Sequence, residues 1–384
     1  MELLLRGLQE EIGRQSDGLY AGIAPGASFI VVKLGEKGRE SFARTTEIMR
    51  ALKFVIDTAE SLDFPISINL SFGTNNGSHD GRSLFETYID SVSQRWKTVV
   101  SIATGNEGNA GHHYAGVASS NEIIDVRFVT STNIKSFYIS LWKNFVDDFS
   151  FELVTPSGKT TAVLSQTNPL VNASFDNMLI SMFYTEATHY NVDQEAYFYV
   201  ESKSPEVPVG VWNIKINTKN VVDGRFNIWL PTVEEVSLGT SFTNPNPLTT
   251  LTLPSTSLYS ISVGAYNPYI KSIASFSGLG YTRNSESEKP DLVAPGVDVI
   301  TTIPDGKYDA FSGTSIASPF VAGAAALMME WGIIKGNDPF LYGQRAKAFL
   351  RKGAVRFDPT MLYPNPYYGF GSLCISNTMN LLIE

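Results

Sequence analysis

The stretch best equipped for chemistry is Gly313-Thr314-Ser315-Ile316-Ala317-Ser318, followed at once by Pro319 and a small, apolar run over 320–329. A glycine permits a tight turn that a side chain would block, and a helix starting near Ser315 turns its unpaired amides toward whatever that serine attacks. A hydroxyl so placed suits acyl transfer. The competing reading is a glycine loop leading into a core helix. Two upstream segments bear on the choice: Ser67-Ile68-Asn69-Leu70-Ser71-Phe72-Gly73 is a short apolar strand ending in small residues, and the run from Val99 to Gly105 is a second one that stops on Asn106. Each reads as a strand edge meeting a cleft. An asparagine amide beside a nucleophile donates to the negative charge of a tetrahedral oxyanion, and Asn106 has the residue type for it. Asn-Glu-Gly is equally an ordinary turn.

The segments APGASFIVVKL, INLSFG, ATGNEG, DLVAPGVDVITTIPDGKYDAFSGTSIASPFVAGAAALM and YGFGSL stand in the order, and with the small gaps, of the subtilisin-like serine proteases. The chain resembles that family over about residues 18–110 and 250–384. The GNAGHHY and GQRAKAFLRKGA segments and the long insertion between Asn106 and Ser315 are most similar to the clostridial germination-associated (Csp-type) subtilases. The resemblance implies a serine endopeptidase acting on a peptide or protein, with Ser315 as nucleophile, the Asn106 side chain and the Ser315 amide as oxyanion donors, and Thr314 beside them. It also implies that Ser71, Phe72 and Gly73 pair with an extended substrate as an added strand, and that Ala103, Thr104 and Gly105 wall the pocket for the side chain before the scissile bond; Glu107 reads as a rim residue favouring basic side chains there. No cofactor or metal is implied.

The family supplies an aspartate from an early strand and a histidine from a His-Gly-Thr segment, both before the APGAS region. Here Pro25 lies two dozen residues from the start, and the opening segment 1–13 contains no histidine. Glu2, Glu10, Glu11 and Asp17 are present, none in an apolar strand context. His79 reads as a solvated loop residue, His112 and His113 as hydrogen-bonded structural residues of a glycine-rich loop, and His189 as part of the insertion, so no general base is assigned. In subtilisin itself, removing the histidine costs about a millionfold in turnover, and roughly 10³ to 10⁴ over water survives. The expectation is a chain nearly inert and destabilised alone: either part of a split protease whose Asp and His come from a separate N-terminal fragment, or a pseudoprotease that binds or regulates in spore germination.

Elsewhere the chain reads as a large folded protein. It has 384 residues, 43% hydrophobic and 12% aromatic, ample for a buried core. Its 29 basic and 38 acidic residues give a net charge of -9, with no basic aromatic cluster, which argues against a nucleic-acid partner. The single cysteine, Cys374, excludes an intramolecular disulfide and reads as a packing residue. The leader Met-Glu-Leu-Leu-Leu-Arg-Gly-Leu lacks the features of a secretory signal, and the apolar run 320–329 is too short for a membrane helix, so no membrane partner is expected. A spore-associated or intracellular location is implied by the family alone.

Three pieces must position these residues. In the first, residues 1–124, Ser28 to Leu34 reads as a buried parallel strand, and Ile48, Ala51, Leu52, Val55, Ile56 and Ala59 recur at helical spacing up to Pro65. Strand 66–73, a helix marked by Leu84, Tyr88, Val92 and Trp96, and strand 98–104 follow, the alternation of a parallel sheet covered by helices on both faces. In the second, 125–244, Phe137/Ile139/Leu141, Phe149/Phe151/Leu153, Trp212/Ile214/Ile216 and Phe226/Ile228/Leu230 recur with a period of two, broken by Pro156-Ser157-Gly158 and Asp223-Gly224 turns. This texture indicates a sandwich or jelly roll, and the resemblance implies an inserted jelly roll. Its aromatics Tyr184, Tyr190, Tyr197, Phe198 and Tyr199 read as core. The third, 245–384, returns through an Asn- and Pro-rich linker at 243–247 to the nucleophile; Asp291, Asp298, Asp305 and Asp309 read as turn formers there. The fold expected is α/β, a subtilisin-like parallel sheet interrupted by an all-β insertion.

Overall fold

A computed structural model describes residues 16, 19–35, 44–132, 134–189, 191–236, 239–283 and 288–383. Glu2, Glu10, Glu11, Asp17 and Tyr190 fall outside them. The chain divides into two compact units, one of residues 1–73, 84–105 and 251–384, the other of residues 74–83 and 106–250.

The first unit is α/β. Its parallel strands run in the order Ile66–Leu70, Thr98–Ala103, Ile261–Asn267 and Leu292–Pro295, with the short strand Ser272–Ile273 antiparallel to the third. All six residues of Thr98–Ala103 are buried, as befits a strand covered on both faces. Its side chains alternate accordingly. Val100 and Ile102 join Ile68 and the apolar faces of helices Thr45–Ser61 and Leu84–Ser93, whereas Val99 joins Ile261, Val263 and helix Thr314–Met329. Helix Thr45–Ser61 buries Ile48, Leu52, Val55, Ile56 and Ala59, the face its spacing dictates, and stops short of Pro65.

Helix Thr314–Met329 is apolar on every side and continues as a π-turn through Ile334. The combined 21 residues are long and apolar enough to cross a membrane, contrary to the expectation from the run 320–329 alone, but two thirds of the segment is buried. A helix hydrophobic all round belongs in a core, and here Ala317, Val321, Ala324, Ala325 and Met328 are fully buried against the sheet.

Three other expectations in this unit are corrected. Ser28 to Leu34 takes no strand conformation; Val32 packs against the cluster of Ile48, Leu52 and Ile68, whereas Ile30, Val31 and Leu34 are exposed, so apolar character alone did not make it a buried strand. Helix Leu84–Ser93 buries Phe85, Ile89 and Val92, leaving Leu84 outside and ending before Trp96, whose exposed ring lies under the Lys97 ammonium. Asp291 is no turn former but the fully buried centre of an ion cluster, and Asp309 sits in the strand Lys307–Phe311; Asp298 and Asp305 do occupy left-handed turn positions.

The second unit is all antiparallel β. One sheet has the order Ser241–Phe242, Ile123–Thr130, Gly210–Thr218, Phe149–Val154; the other has the order His113–Val117, Arg225–Trp229, Ser136–Asn144, Asp193–Ser202, Met178–Tyr184, Leu170–Phe175. Alternate residues of both sheets, among them Phe128, Phe151, Trp212, Ile214, Ile139, Phe198 and Phe226, fill a single core. The Asp223-Gly224 turn links strands of different sheets, and Asp147 holds it by accepting the amides of Val222, Asp223 and Gly224. Tyr184 and Phe198 lie in the core, whereas Tyr197 and Tyr199 are half-buried on the other face of their strand, Tyr197 stacked on Tyr138. Segment 243–247 lies within this unit, which ends at Thr250; the chain enters the first unit at Leu251.

Candidate active site

Ser315 stands in the first turn of the buried helix, and local chemistry fixes it there. Gly313, with φ of 154°, carries the chain into the helix; its amide donates to the Gly296 carbonyl at 2.8 Å, and its own carbonyl accepts from Ile316 and Ala317. Among the described residues the Ser315 amide meets no backbone acceptor, as expected for a helix's first turn. Pro319 has no N–H to offer the carbonyl four residues back, which is that of Ser315. The Ser71 hydroxyl supplies the missing donor at 3.1 Å, itself bonded by the Asn69 carboxamide at 3.0 Å. On the other side the Gly105 amide donates to the buried Thr314 hydroxyl at 3.1 Å. The half-buried Ser315 is thus tied by its neighbours to the carboxyl ends of two adjacent parallel strands, Ile66–Leu70 and Thr98–Ala103, where open α/β sheets place their ligands.

The structure therefore brings Ser71, Phe72, Gly73, Ala103, Thr104, Gly105, Thr314 and Ser315 together within one unit. Thr104 is anchored through its amide to Val263 and through its carbonyl to the Thr252 amide, at 3.1 and 3.0 Å. Gly105 adopts φ of +87°, a left-handed conformation that favours glycine, and its carbonyl accepts from Gly278 at 2.9 Å. Asn106 belongs to the other unit, where its Nδ2 donates to Glu234 Oε1 at 3.1 Å.

Two expectations around the site are corrected. Glu107, read as a rim residue favouring basic side chains, is 1% exposed; its carboxylate accepts from the Val233 amide and Asn75 Nδ2 and lies 2.6 Å from His112 Nδ1. A carboxylate so enclosed belongs to the framework. His79, read as solvated, is fully buried and stacked 4.0 Å from Trp229, with Nε2 3.1 Å from the Asn75 carbonyl. The aromatic partner, distant in sequence, is what draws it inside.

His112 and His113 are structural, as read. His112 lies between Glu107 and the Thr240 carbonyl, and the His113 nitrogens lie 2.6 Å from the Leu248 carbonyl and 2.9 Å from the Asn227 carboxamide. Burial pushes His113 down to about 4, so the ring is neutral at physiological pH. His189 is exposed in the insertion. Among the described residues no group of three or more His, Cys, Asp or Glu side chains is arranged to hold a metal ion.

Asp291, fully buried, has a role that its local sequence hardly announces. Its Oδ2 accepts from Lys289 Nζ and the Ser262 amide, both at 2.7 Å, and its Oδ1 faces Lys347 Nζ at 3.1 Å and the Arg351 guanidinium. Burial alone would raise its carboxyl; the Lys289, Lys347 and Arg351 cations override that and hold it well below the usual carboxylate range. Asp291 opens the strand Leu292–Pro295, which leads into Gly296 and hence to Gly313. A signal existed in Lys289-Pro290-Asp291, charged residues entering an apolar strand, but Lys347 and Arg351 lie too far along the chain to be paired with it by inspection.

Comparison with known proteins agrees with this architecture. The model of the subtilase family matches residues 215–371. The structure of the Clostridium perfringens CspB protease superimposes with a TM-score of 0.91 at 34% identity, covering 99% of this chain and 79% of that one. The intracellular serine protease of Paenibacillus polymyxa is 43% identical over 97 residues, 24% of this chain and 27% of that protein. Subtilisin NAT of Bacillus subtilis subsp. natto is 46% identical over 70 residues, 18% of this chain and 16% of that protein. The matches thus span about a quarter or less of these curated relatives. At that identity and coverage of the CspB structure, the chain belongs to the subtilase family of serine proteases and is of the Csp type.

Proposed function

We propose that this chain carries the nucleophile and substrate-binding half of a serine endopeptidase. Ser315 Oγ attacks the scissile carbonyl, the electron pair moving onto the carbonyl oxygen, and the Ser315 amide and the Asn106 carboxamide receive the oxyanion. Collapse of the tetrahedral adduct expels the amine, which takes the proton first removed from Ser315, and leaves an acyl-enzyme that water hydrolyses. Ser71, Phe72 and Gly73 pair with the extended substrate, and Ala103, Thr104 and Gly105 flank the side chain before the cleaved bond. The observation that carries this reading is the pinning of the Ser315 turn between two strand ends, by Ser71 Oγ on the Ser315 carbonyl and by the Gly105 amide on Thr314 Oγ1.

In this reading the proton of Ser315 goes to a histidine other than His79, His112 and His113, because burial, ring stacking and framework hydrogen bonds commit those three. A separate N-terminal fragment bearing Asp and His is the proposed source. Residues 125–244 form a jelly-roll insertion between the two subtilase segments, 1–124 and 245–384; the two antiparallel sheets around one core support this. The test is hydrolysis of a casein-derived fluorogenic peptide by the chain alone and with a supplied Asp- and His-bearing segment, against Ser315→Ala. Activity that appears with the segment and vanishes in Ser315→Ala supports the reading; equal rates for wild type and Ser315→Ala refute it.

A second reading, a pseudoprotease that binds a peptide without cleaving it, is favoured by one observation: the Asn106 carboxamide already serves Glu234. Peptide binding without turnover, under the conditions that supply the segment, would select it.

A further inference from the structure

Residues 233–235 of the β unit form a turn that carries a carboxylate to the side chain used as oxyanion donor in the proposed mechanism. Glu234 Oε1 accepts from Asn106 Nδ2 at 3.1 Å, both residues lying in the same unit. The turn is held on either side of Glu234. Before it, the Val233 amide donates to buried Glu107 Oε1 at 2.8 Å, and Glu107 is itself fixed by Asn75 Nδ2 and His112. After it, Glu235 Oε2 accepts from the Thr232 amide and hydroxyl at 3.0 and 3.2 Å and from the Tyr138 hydroxyl at 3.2 Å, while the Glu235 and Val236 amides both return to the Thr232 carbonyl. Two consecutive residues, Asn106 and Glu107, thus bind two consecutive residues of the turn, Glu234 and Val233. Because framework bonds already place both partners, little freedom is lost in making the contact between Asn106 and Glu234.

We infer that Glu234 is a built-in restraint on the oxyanion hole: its carboxylate holds the Asn106 donor and competes with the oxyanion for it. This rests on the proposed catalytic reading and adds a control supplied by the insertion. An anionic oxygen is the acceptor that a tetrahedral adduct presents, and hydrogen bonds to ionised groups are roughly twice as strong as neutral ones, so a carboxylate is a matched competitor for that N–H. Glu234 acts through Asn106 and not on the reacting atoms. The opposite role, a carboxylate that aims Asn106 at the oxyanion, predicts the reverse effect of removing it.

The experiment follows the rate at which a fluorophosphonate labels Ser315 in the full chain, with the Asp- and His-bearing segment supplied. Wild type, Glu234→Ala and Glu234→Gln are compared, and the first two again in an Asn106→Ala background. One oxyanion donor is worth about 100- to 1000-fold in turnover, so freeing part of that donation should read as a gain of about 10-fold or more for Glu234→Ala. Glu234→Gln, which keeps the shape and a neutral acceptor, should fall between wild type and Glu234→Ala. Without Asn106 the gain from Glu234→Ala should vanish, which a merely structural role would not produce. Glu234 is exposed, so truncating it leaves the core untouched. An equal or slower rate in Glu234→Ala, or a gain of the same size without Asn106, would overturn the inference while Ser315 still reacts, leaving the catalytic reading intact. No labelling of Ser315 in wild type or in any variant would instead remove the catalytic reading, and the inference with it.

Discussion

Replacing Asp291 with asparagine keeps the shape of the buried side chain and removes its charge, leaving Lys289 and Lys347, whose side chains are 0% and 4% exposed, without their anion. Breaking a buried ion pair from one side costs about 3 to 5 kcal/mol, because the remaining charge stays desolvated. Arg351 is less enclosed, at 26% exposure, so Arg351→Met should cost less, within about 1 to 2 kcal/mol of the wild type. The loss at Asp291 should also reach the site, since the strand it opens leads to Gly296, which anchors Gly313. The assay is urea denaturation followed by hydrogen exchange, reading amides of residues 261–267 and 292–295 separately from those of the β unit, because two units need not unfold together. The expected outcome is early loss of protection in those strands with the β unit unchanged. An Asp291→Asn variant within about 0.5 kcal/mol of wild type, the range of an ordinary surface change, would refute the argument that this cluster secures the sheet.

Other predictions follow from the same structure. The folded-state value of His113, about 4 against 6.5 unfolded, means that the folded chain binds fewer protons, so the contribution is complete above pH 6.5 and is lost as pH falls toward 4. Its size is about 3 kcal/mol at most by the lower end, and His113→Gln should flatten the pH dependence of β-unit stability between 6.5 and 4. Asp291, whose carboxyl is likewise depressed, contributes little to that window; its share is lost as pH falls below the ordinary carboxylate range. Ser71→Ala leaves the Ser315 carbonyl without its donor, a loss of about 1 to 3 kcal/mol, readable as a lower melting temperature and a slower rate of Ser315 modification.

Much of this fold was legible because burial patterns are local. The period-two runs of the β unit and the spacing of Ile48, Leu52, Val55, Ile56 and Ala59 carry their own structural sense, and both recur in the structure. The site's residue types were legible too: Gly313 before a helix, small residues at two strand ends. What escaped depended on partners far off in the chain. Glu234 acquires meaning only against Asn106, His79 only against Trp229, and Asp291 only against Lys347 and Arg351. Ser28 to Leu34 failed for the converse reason, since an apolar run cannot show whether it will be buried.

The central claim is that the Ser315 hydroxyl is the group that reacts. Treating the chain with a fluorophosphonate, in the presence of the supplied Asp- and His-bearing segment, and mapping the adduct by tandem mass spectrometry tests it most directly. The account predicts one phosphonylated site, on the peptide containing Ser315, and no labelling of Ser315→Ala. Labelling of both proteins to the same extent, or an adduct on another serine, would contradict it.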